Sequence, residues 1–163
     1  EQAFLVEVMG EKSGYLALML GITGGAEMVC IPEVPFTADD VSREVADAYV
    51  RGKRHCIIVV AEGAQPGTTE IAATLHANEA ETGFRLRVST LGHIMRGGSP
   101  SAQDRLLATR LGAAAIQRLH RGEAGVMVGT QAGKVASTPL AEVAQAIRPI
   151  DEQYLELARI LAR

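Results

Sequence analysis

The sequence has no tryptophan, only three phenylalanines and three tyrosines, and just two cysteines in 163 residues. It has no apolar run near the roughly 18–20 residues that cross a bilayer, which excludes a membrane-spanning segment. The net charge of -3 provides no general attraction to nucleic acid or to anionic lipid, so we expect neither partner. Cys30 and Cys56 lie in apolar runs with no signal peptide, which favours a reduced, cytoplasmic protein.

Length and composition favour one soluble α/β domain over residues 1–163. Hydrophobic residues make up 47% and charged residues 21% of the chain, which is typical of a globular protein rather than a disordered one. The chain opens without methionine and enters a strand pattern almost at once. We therefore expect a fragment or one half of a longer polypeptide.

Short apolar runs alternate with helical patterns along the chain. The runs are nearly all apolar, which is typical of strands buried on both faces of a parallel sheet. They cover 4–8, 28–31, 56–60, 84–88 and 126–128. Helical spacing predicts helices over 13–20, 37–51, 68–82, 101–120, 140–146 and 151–161. This alternation predicts a βαβ-wound α/β fold with a mostly parallel sheet flanked by helices.

Polar side chains follow the predicted strands, where ligands bind in this architecture. Arg87 and the pair His93 and Arg96 lie on or after the fourth strand. Guanidinium and imidazole groups suit a phosphate monoester, and Gly97 and Gly98 beside them permit close backbone approach. Glu62, at the end of the third strand, would repel phosphate but accept hydrogen bonds from hydroxyls. The cluster predicts a site for a phosphorylated polyol.

Each of these residues also has a plainer interpretation. An arginine before two glycines is often a solvated loop residue, and a carboxylate such as Glu62 often caps a helix or ends a turn. From the residues alone, both interpretations stay open.

The ordered motifs resemble the second half of bacterial-type 6-phosphofructokinases. The resemblance runs from the first residue to about Gln131 and then weakens. It is carried by Glu7-Val8-Met9-Gly10, Gly14-Tyr15-Leu16-Ala17-Leu18, Gly24-Gly25-Ala26-Glu27, Ile31-Pro32-Glu33-Val34, Val60-Ala61-Glu62-Gly63, Leu91-Gly92-His93-Ile94 and Arg96-Gly97-Gly98-Ser99-Pro100.

The resemblance implies a two-half enzyme that phosphorylates fructose 6-phosphate in glycolysis. ATP or pyrophosphate and magnesium would bind the other half. The segment beside the sugar would be Met9, Gly10 and Glu11. Glu62 would accept hydrogen bonds from the sugar hydroxyls. His93 and Arg96 would hold its 6-phosphate, whereas Arg87 would reach a neighbouring subunit's site in a homo-oligomer, which the family implies to be a tetramer.

The resemblance also implies an allosteric site for an anionic effector between subunits. Its residues would be Gly25, Glu27, Arg51, Lys53 and His55. Taken alone, the basic stretch 51–55 better fits a solvated helix end that complements the helix dipole.

Three positions depart from the family pattern. Gln2 stands where the family often has arginine, and Glu11 stands where it usually has arginine. Met95 stands where glutamine is frequent. Charged hydrogen bonds contribute roughly 1.5–3 kcal/mol each, so losing two cations from a phosphate site weakens binding or requires compensation. The departures favour the alternative hypothesis, a degenerate regulatory half that binds a sugar phosphate or other anion without turnover.

Nothing here resembles the family's glycine-rich nucleotide motifs or its aspartate base. Phosphoryl transfer depends on a positioned donor, a metal and a base. We therefore expect the segment alone to be inactive.

Overall fold

Four parallel strands, in the order β2-β3-β1-β4, make the sheet that positions the candidate site. They are β1 (Gln2–Val8), β2 (Met28–Cys30), β3 (His55–Ala61) and β4 (Arg85–Thr90). The structure is a computed structural model and describes residues 1–146 and 149–162. The parallel pairing confirms the sheet predicted from continuous apolar runs for the first four of them. The prediction was wrong for the fifth run, 126–128, which lies in a separate two-stranded sheet.

Helices cover both faces of this sheet. The segments that follow the four strands contain α1 (Tyr15–Gly24), α2 (Ala38–Val50), α3 (Thr68–Ala77), α4 (Glu79–Thr82) and a short 3-10 helix (Gly92–Arg96). One core packs Leu5 and Ile58 against Val41 of α2 and Ile71 of α3. The other face packs against α1 and the last helix of the chain.

The second predicted helix is confirmed with its boundaries. Thr37 accepts from the amide of Asp40, and the Asp40 carboxylate accepts from the amide of Thr37, which completes a capping box. The hydroxyl and the amide of Thr37 both donate to the Asp40 carboxylate, and these two hydrogen bonds hold the pKa of Asp40 below its ordinary value.

Two predicted helices differ from the structure. The first was expected over 13–20 but covers Tyr15–Gly24 and ends at Gly25 in a left-handed conformation. Within it, Gly21 packs closely on β2, because a β-carbon there would lie 2.2 Å from Val29 Cγ2. The predicted helix 68–82 is divided at Asn78, whose side-chain amide donates to Ser42 Oγ at 3.1 Å.

The chain divides into two compact units, one comprising Glu1–Arg96 with Ile150–Arg163 and the other Gly97–Pro149. The first unit includes the closing helix α7 (Glu152–Leu161), and the second contains α5 (Ala102–His120), β5 (Val126–Gln131), β6 (Lys134–Pro139) and α6 (Leu140–Gln145). The prediction missed β6, because its sequence is polar and its pairing with β5 is antiparallel through a two-residue turn.

Within the described residues, no helix combines the length and apolar character that crossing a membrane requires.

Candidate functional site

The carboxyl ends of three strands meet at one edge of the sheet. Val8 lies in register with Ala61 and Glu7 with Thr90, so the segments after β1, β3 and β4 begin side by side. The residues that follow are Met9, Glu62 and Leu91. The arrangement brings together the first, third and fourth strand ends, as expected from the parallel order.

The loop after β1 is held against the end of β3. The amide of Gly10 donates to Oε1 of Glu62 at 3.2 Å, and the amide of Gly63 donates to the carbonyl of Gly10 at 3.2 Å. Position 63 requires glycine, because a β-carbon there would lie 1.9 Å from the carbonyl oxygen of Glu11. The Glu62 side chain, which is exposed, is thereby oriented by the loop while its second oxygen remains for a ligand.

The far end of the same loop is held by Glu33, for which the sequence analysis proposed no role. Both carboxylate oxygens accept from the amide of Gly14, at 2.9 and 3.0 Å, just before α1 begins. A carboxylate at a helix N-terminus satisfies an orphan amide and complements the helix dipole. Glu33 was detectable as a carboxylate three residues after β2 ends at Cys30, but its partner lies 19 positions away.

Arg96 reaches this loop from the 3-10 helix that follows β4. Its Nε donates to Sδ of Met9 at 3.4 Å, and the amide of Met9 contacts Sδ of Met95 at 3.2 Å. Arg96 and His93 are exposed, and among the described residues neither has a carboxylate partner. An exposed guanidinium without an anion beside it is suited to bind a phosphate.

Glu11 belongs to the same loop and is exposed. Its backbone lies against Gly63, so residue 11 stands at this edge of the sheet.

Arg87 and Gln2 lie away from this edge. Arg87 is exposed and in register with Phe4, roughly 10 Å along the strand from its carboxyl end. Gln2 is at the amino end of β1, in register with His55 and Arg85, and thus about 20 Å from Glu62. Within one chain, Gln2 is too far from Arg96 for both to contact one phosphate. Of the two positions where the family has arginine, only Glu11 therefore changes the charge of the candidate site that this chain forms.

A second polar cluster lies at the opposite, amino-terminal edge of the sheet. Glu27 is buried, with 6% of its surface exposed. Its Oε1 accepts from Nζ of Lys53 at 2.9 Å, and its Oε2 accepts from the amide of Ile57. Of the predicted effector residues, Glu27 and Lys53 are therefore directly paired.

The other three predicted effector residues surround this pair less closely. Gly25 ends α1 in a left-handed conformation (φ 68°) two residues before Glu27. Arg51 pairs with Glu44 at 2.9 Å and, with Glu27, lines a groove of about 670 Å³ between α1, α2 and α7. His55 begins β3 and is exposed, and it does not line that groove.

Lys53→Met should lower the free energy of unfolding by about 1–3 kcal/mol, because it leaves the buried Glu27 carboxylate without its cation. Because 31% of the Lys53 side chain is exposed, solvent weakens the ion pair. We therefore expect a loss of stability in the lower part of that range. Urea unfolding of the chain measures it, with the double variant Lys53→Met/Glu27→Gln expected to regain most of the loss. An unchanged midpoint in the single variant would show that the pair contributes nothing and that Lys53 is free for a ligand.

Both cysteines are buried in the first core. Burial raises the pKa of the Cys30 thiol to about 12. Burial also raises the pKa of the Cys56 thiol to about 12, and the neighbouring negative charge of Glu27 adds to this increase. Both thiols are therefore protonated and unreactive at neutral pH.

Together these features define a parallel α/β protein with a hydroxyl acceptor and an unpaired guanidinium at the carboxyl edge of its sheet. A family model described as Phosphofructokinase matches residues 1–119. The chain is 45% identical over 162 residues to the ATP-dependent 6-phosphofructokinase 1 of Thermus thermophilus, covering 99% of this chain and 50% of that protein. It is 40% identical over 170 residues to the ATP-dependent 6-phosphofructokinase of Halothermothrix orenii, covering 99% and 51% respectively. The chain belongs to the phosphofructokinase family.

Solved structures agree with this assignment. The T-state phosphofructokinase of Pichia pastoris superposes with a TM-score of 0.76 at 35% identity, over 88% of this chain and 16% of that one. A pyrophosphate-dependent phosphofructokinase from Marinobacter aquaeolei gives a TM-score of 0.77 over 99% of this chain and 48% of that one; at 23% identity, this likeness bears on the fold alone. The chain spans about half the length of the curated relatives it matches.

Proposed function

We propose that this chain is the sugar-phosphate-binding, C-terminal half of a 6-phosphofructokinase and that fructose 6-phosphate is its substrate. The observation that carries the proposal is the loop from Met9 to Gly14, held by Glu62 and Glu33, with the unpaired Arg96 guanidinium on Met9. A rigid loop between a hydroxyl acceptor and a cation matches the two ends of a sugar phosphate.

Each residue has a role in this proposal. Glu62 accepts from sugar hydroxyls through the oxygen that Gly10 leaves open, while Met9 and Gly10 form the surface beneath the sugar. Arg96 and His93 donate to the 6-phosphate. Arg87, remote from this edge, acts on the site of a neighbouring subunit in a homo-oligomer, for which a tetramer is the proposed state.

The phosphoryl donor, ATP or pyrophosphate, and magnesium are proposed to bind the other half of the enzyme. Across residues 1–146 and 149–162, no group of three His, Cys, Asp or Glu residues converges as a metal site would require. This chain's contribution is to bind and orient the acceptor sugar. The cluster of Gly25, Glu27, Arg51, Lys53 and His55 is proposed as its half of an anionic-effector site.

The proposal predicts that the chain alone will not turn over fructose 6-phosphate with ATP and magnesium in a coupled assay. A chimera in which the chain replaces the matching half of the Thermus thermophilus relative (the Thermus chimera) should be active, because it reunites the sugar site with a donor site. Turnover by the pure chain would contradict the division of labour proposed here.

Glu11 favours a second candidate function, a regulatory half that binds the sugar phosphate without turnover. An inactive Thermus chimera that still binds fructose 6-phosphate by titration calorimetry would support this alternative. Restored activity in Glu11→Arg would then identify that one charge as the cause.

A further inference from the structure

Two methionine sulfurs lie in hydrogen-bond contact at the candidate site. Nε of Arg96 donates to Sδ of Met9 at 3.4 Å, and the amide of Met9 donates to Sδ of Met95 at 3.2 Å. A thioether sulfur is only a weak acceptor, so the Arg96 guanidinium is held loosely and its terminal nitrogens stay available to a phosphate. A chemical change at the Met9 sulfur would change how firmly that guanidinium is held.

The two methionines are also the more accessible sulfur groups of this edge of the sheet. Met9 and Met95 are half-buried, and neither is enclosed in one of the two cores. Cys30 and Cys56, in contrast, are buried and protonated, so a peroxide in solution meets no reactive thiol first. An oxidant as small as hydrogen peroxide therefore acts on the thioethers.

Oxidation converts the Met9 sulfur from a weak acceptor into a strong one. A sulfur lone pair attacks one oxygen of hydrogen peroxide, and the O–O bond breaks as the S–O bond forms. The proton of the attacked oxygen moves to the other oxygen, which leaves as water. The sulfur loses two electrons to the peroxide and becomes a sulfoxide, whose partly negative oxygen lies beside the guanidinium that already contacts the sulfur. Hydrogen bonds with a charged donor are roughly twice as strong as neutral ones.

We propose that Met9 is an oxidation-sensitive modification site, whose sulfoxide holds the Arg96 guanidinium and so weakens binding of a sugar phosphate. Methionine sulfoxide reductases return the sulfoxide to the thioether, so the modification is reversible. The consequence for binding rests on the proposed function, whereas the oxidation of Met9 and its effect on Arg96 are measurable without a sugar.

Peptide mapping by mass spectrometry after hydrogen peroxide treatment of the chain tests the modification. Met127, which is 44% exposed and lies in the other unit, reports the dose. At a dose that oxidises Met127, the peptide with Met9 should also gain one oxygen atom.

Arginine labelling with phenylglyoxal tests the effect on Arg96 in the same samples. The reagent reacts with the neutral guanidine, and a hydrogen bond to the sulfoxide favours the charged form. Labelling of Arg96 should therefore be severalfold slower after oxidation. Arg54 is the matched control, because it is exposed and lies near the opposite end of β3, and its rate should not change.

Titration calorimetry on the Thermus chimera measures the consequence for binding. Oxidation should raise the Kd for fructose 6-phosphate on the order of tenfold, because a charged hydrogen bond to the phosphate is lost or shared. Treatment with methionine sulfoxide reductases for both epimers should restore the original Kd. Met9→Leu keeps an apolar side chain of similar volume but has no sulfur there, so its Kd should not respond to oxidation. Met95→Leu removes the neighbouring sulfur instead and should keep the response.

The controls separate this inference from the proposed function. The inference is wrong if Met9 stays unoxidised while Met127 is oxidised, or if the Met9 sulfoxide forms without changing the Kd or the labelling rate of Arg96. A response that persists in Met9→Leu would overturn it as well, because another residue would then be the sensitive one. An untreated Thermus chimera that fails to bind fructose 6-phosphate contradicts the proposed function, and the labelling rate of Arg96 then decides the inference.

Discussion

Arg96→Ala in the Thermus chimera is expected to weaken fructose 6-phosphate binding by ~1.5–3 kcal/mol, roughly a ten- to hundredfold rise in Kd. The guanidinium is exposed, has no carboxylate partner among the described residues and is held to Met9 by one weak contact from Nε. Its terminal nitrogens are thus available to the phosphate, and their removal deletes charged hydrogen bonds. Titration calorimetry measures the change directly.

Two variants make this result specific to the site. Arg54→Ala removes the same side chain next to the amino-terminal start of β3, about 20 Å from Glu62, and should leave Kd unchanged. His93→Ala should have a smaller effect than Arg96→Ala, because a neutral imidazole contributes one uncharged hydrogen bond. If Arg96→Ala binds as tightly as the parent, Arg96 does not hold the phosphate and the central claim fails.

Gly63→Ala is expected to destabilise the chain by about 3 kcal/mol or more, the upper end of what overpacking causes. The added methyl would lie 1.9 Å from the Glu11 carbonyl oxygen, and backbone cannot rotate away as a flexible side chain can. This clash can be relieved only if the loop after β1 moves away from the end of β3. That movement would also break the Gly63–Gly10 hydrogen bond and displace Glu62.

Gly24→Ala is the matched control, because nothing lies within 4 Å of its added β-carbon and the residue is helical. It should stabilise the chain by about 0.5–1 kcal/mol. Urea unfolding compares the two, and loss of soluble protein for Gly63→Ala alone would count as the same outcome. Equal stability of the two variants would mean that the loop is free to move and does not preorganise a site.

The edge where the site lies was predictable because its signals are local. Continuous apolar runs indicated buried parallel strands, and parallel strands end at a common edge, so the sequence predicts that Glu62, His93 and Arg96 lie near Met9. The resemblance added roles to these residues. It could not show that Gln2 lies at the opposite end of β1, which follows from the register with His55.

The individual contacts between distant residues were beyond the sequence, although the resemblance had assigned Glu27 and Lys53 to one site and Met9 and Arg96 to another. Glu33 anchors Gly14 from 19 positions away, Lys53 neutralises Glu27 from 26, and Arg96 meets Met9 from 87. Neither residue of such a pair carries a local pattern that identifies the other. Taken alone, Arg96 was interpreted as a solvated loop residue and Lys53 as part of a solvated helix end.

By itself, the sequence determined the alternation of strands and helices, the parallel sheet and the chemistry of the groups at its carboxyl edge, because periodicity and residue type act over a few positions. Only the tertiary structure decided where helices break, as at Asn78 against Ser42, and which loop is held rigid. Those outcomes depend on which segments pack together, and packing is set by the whole chain rather than by any one segment.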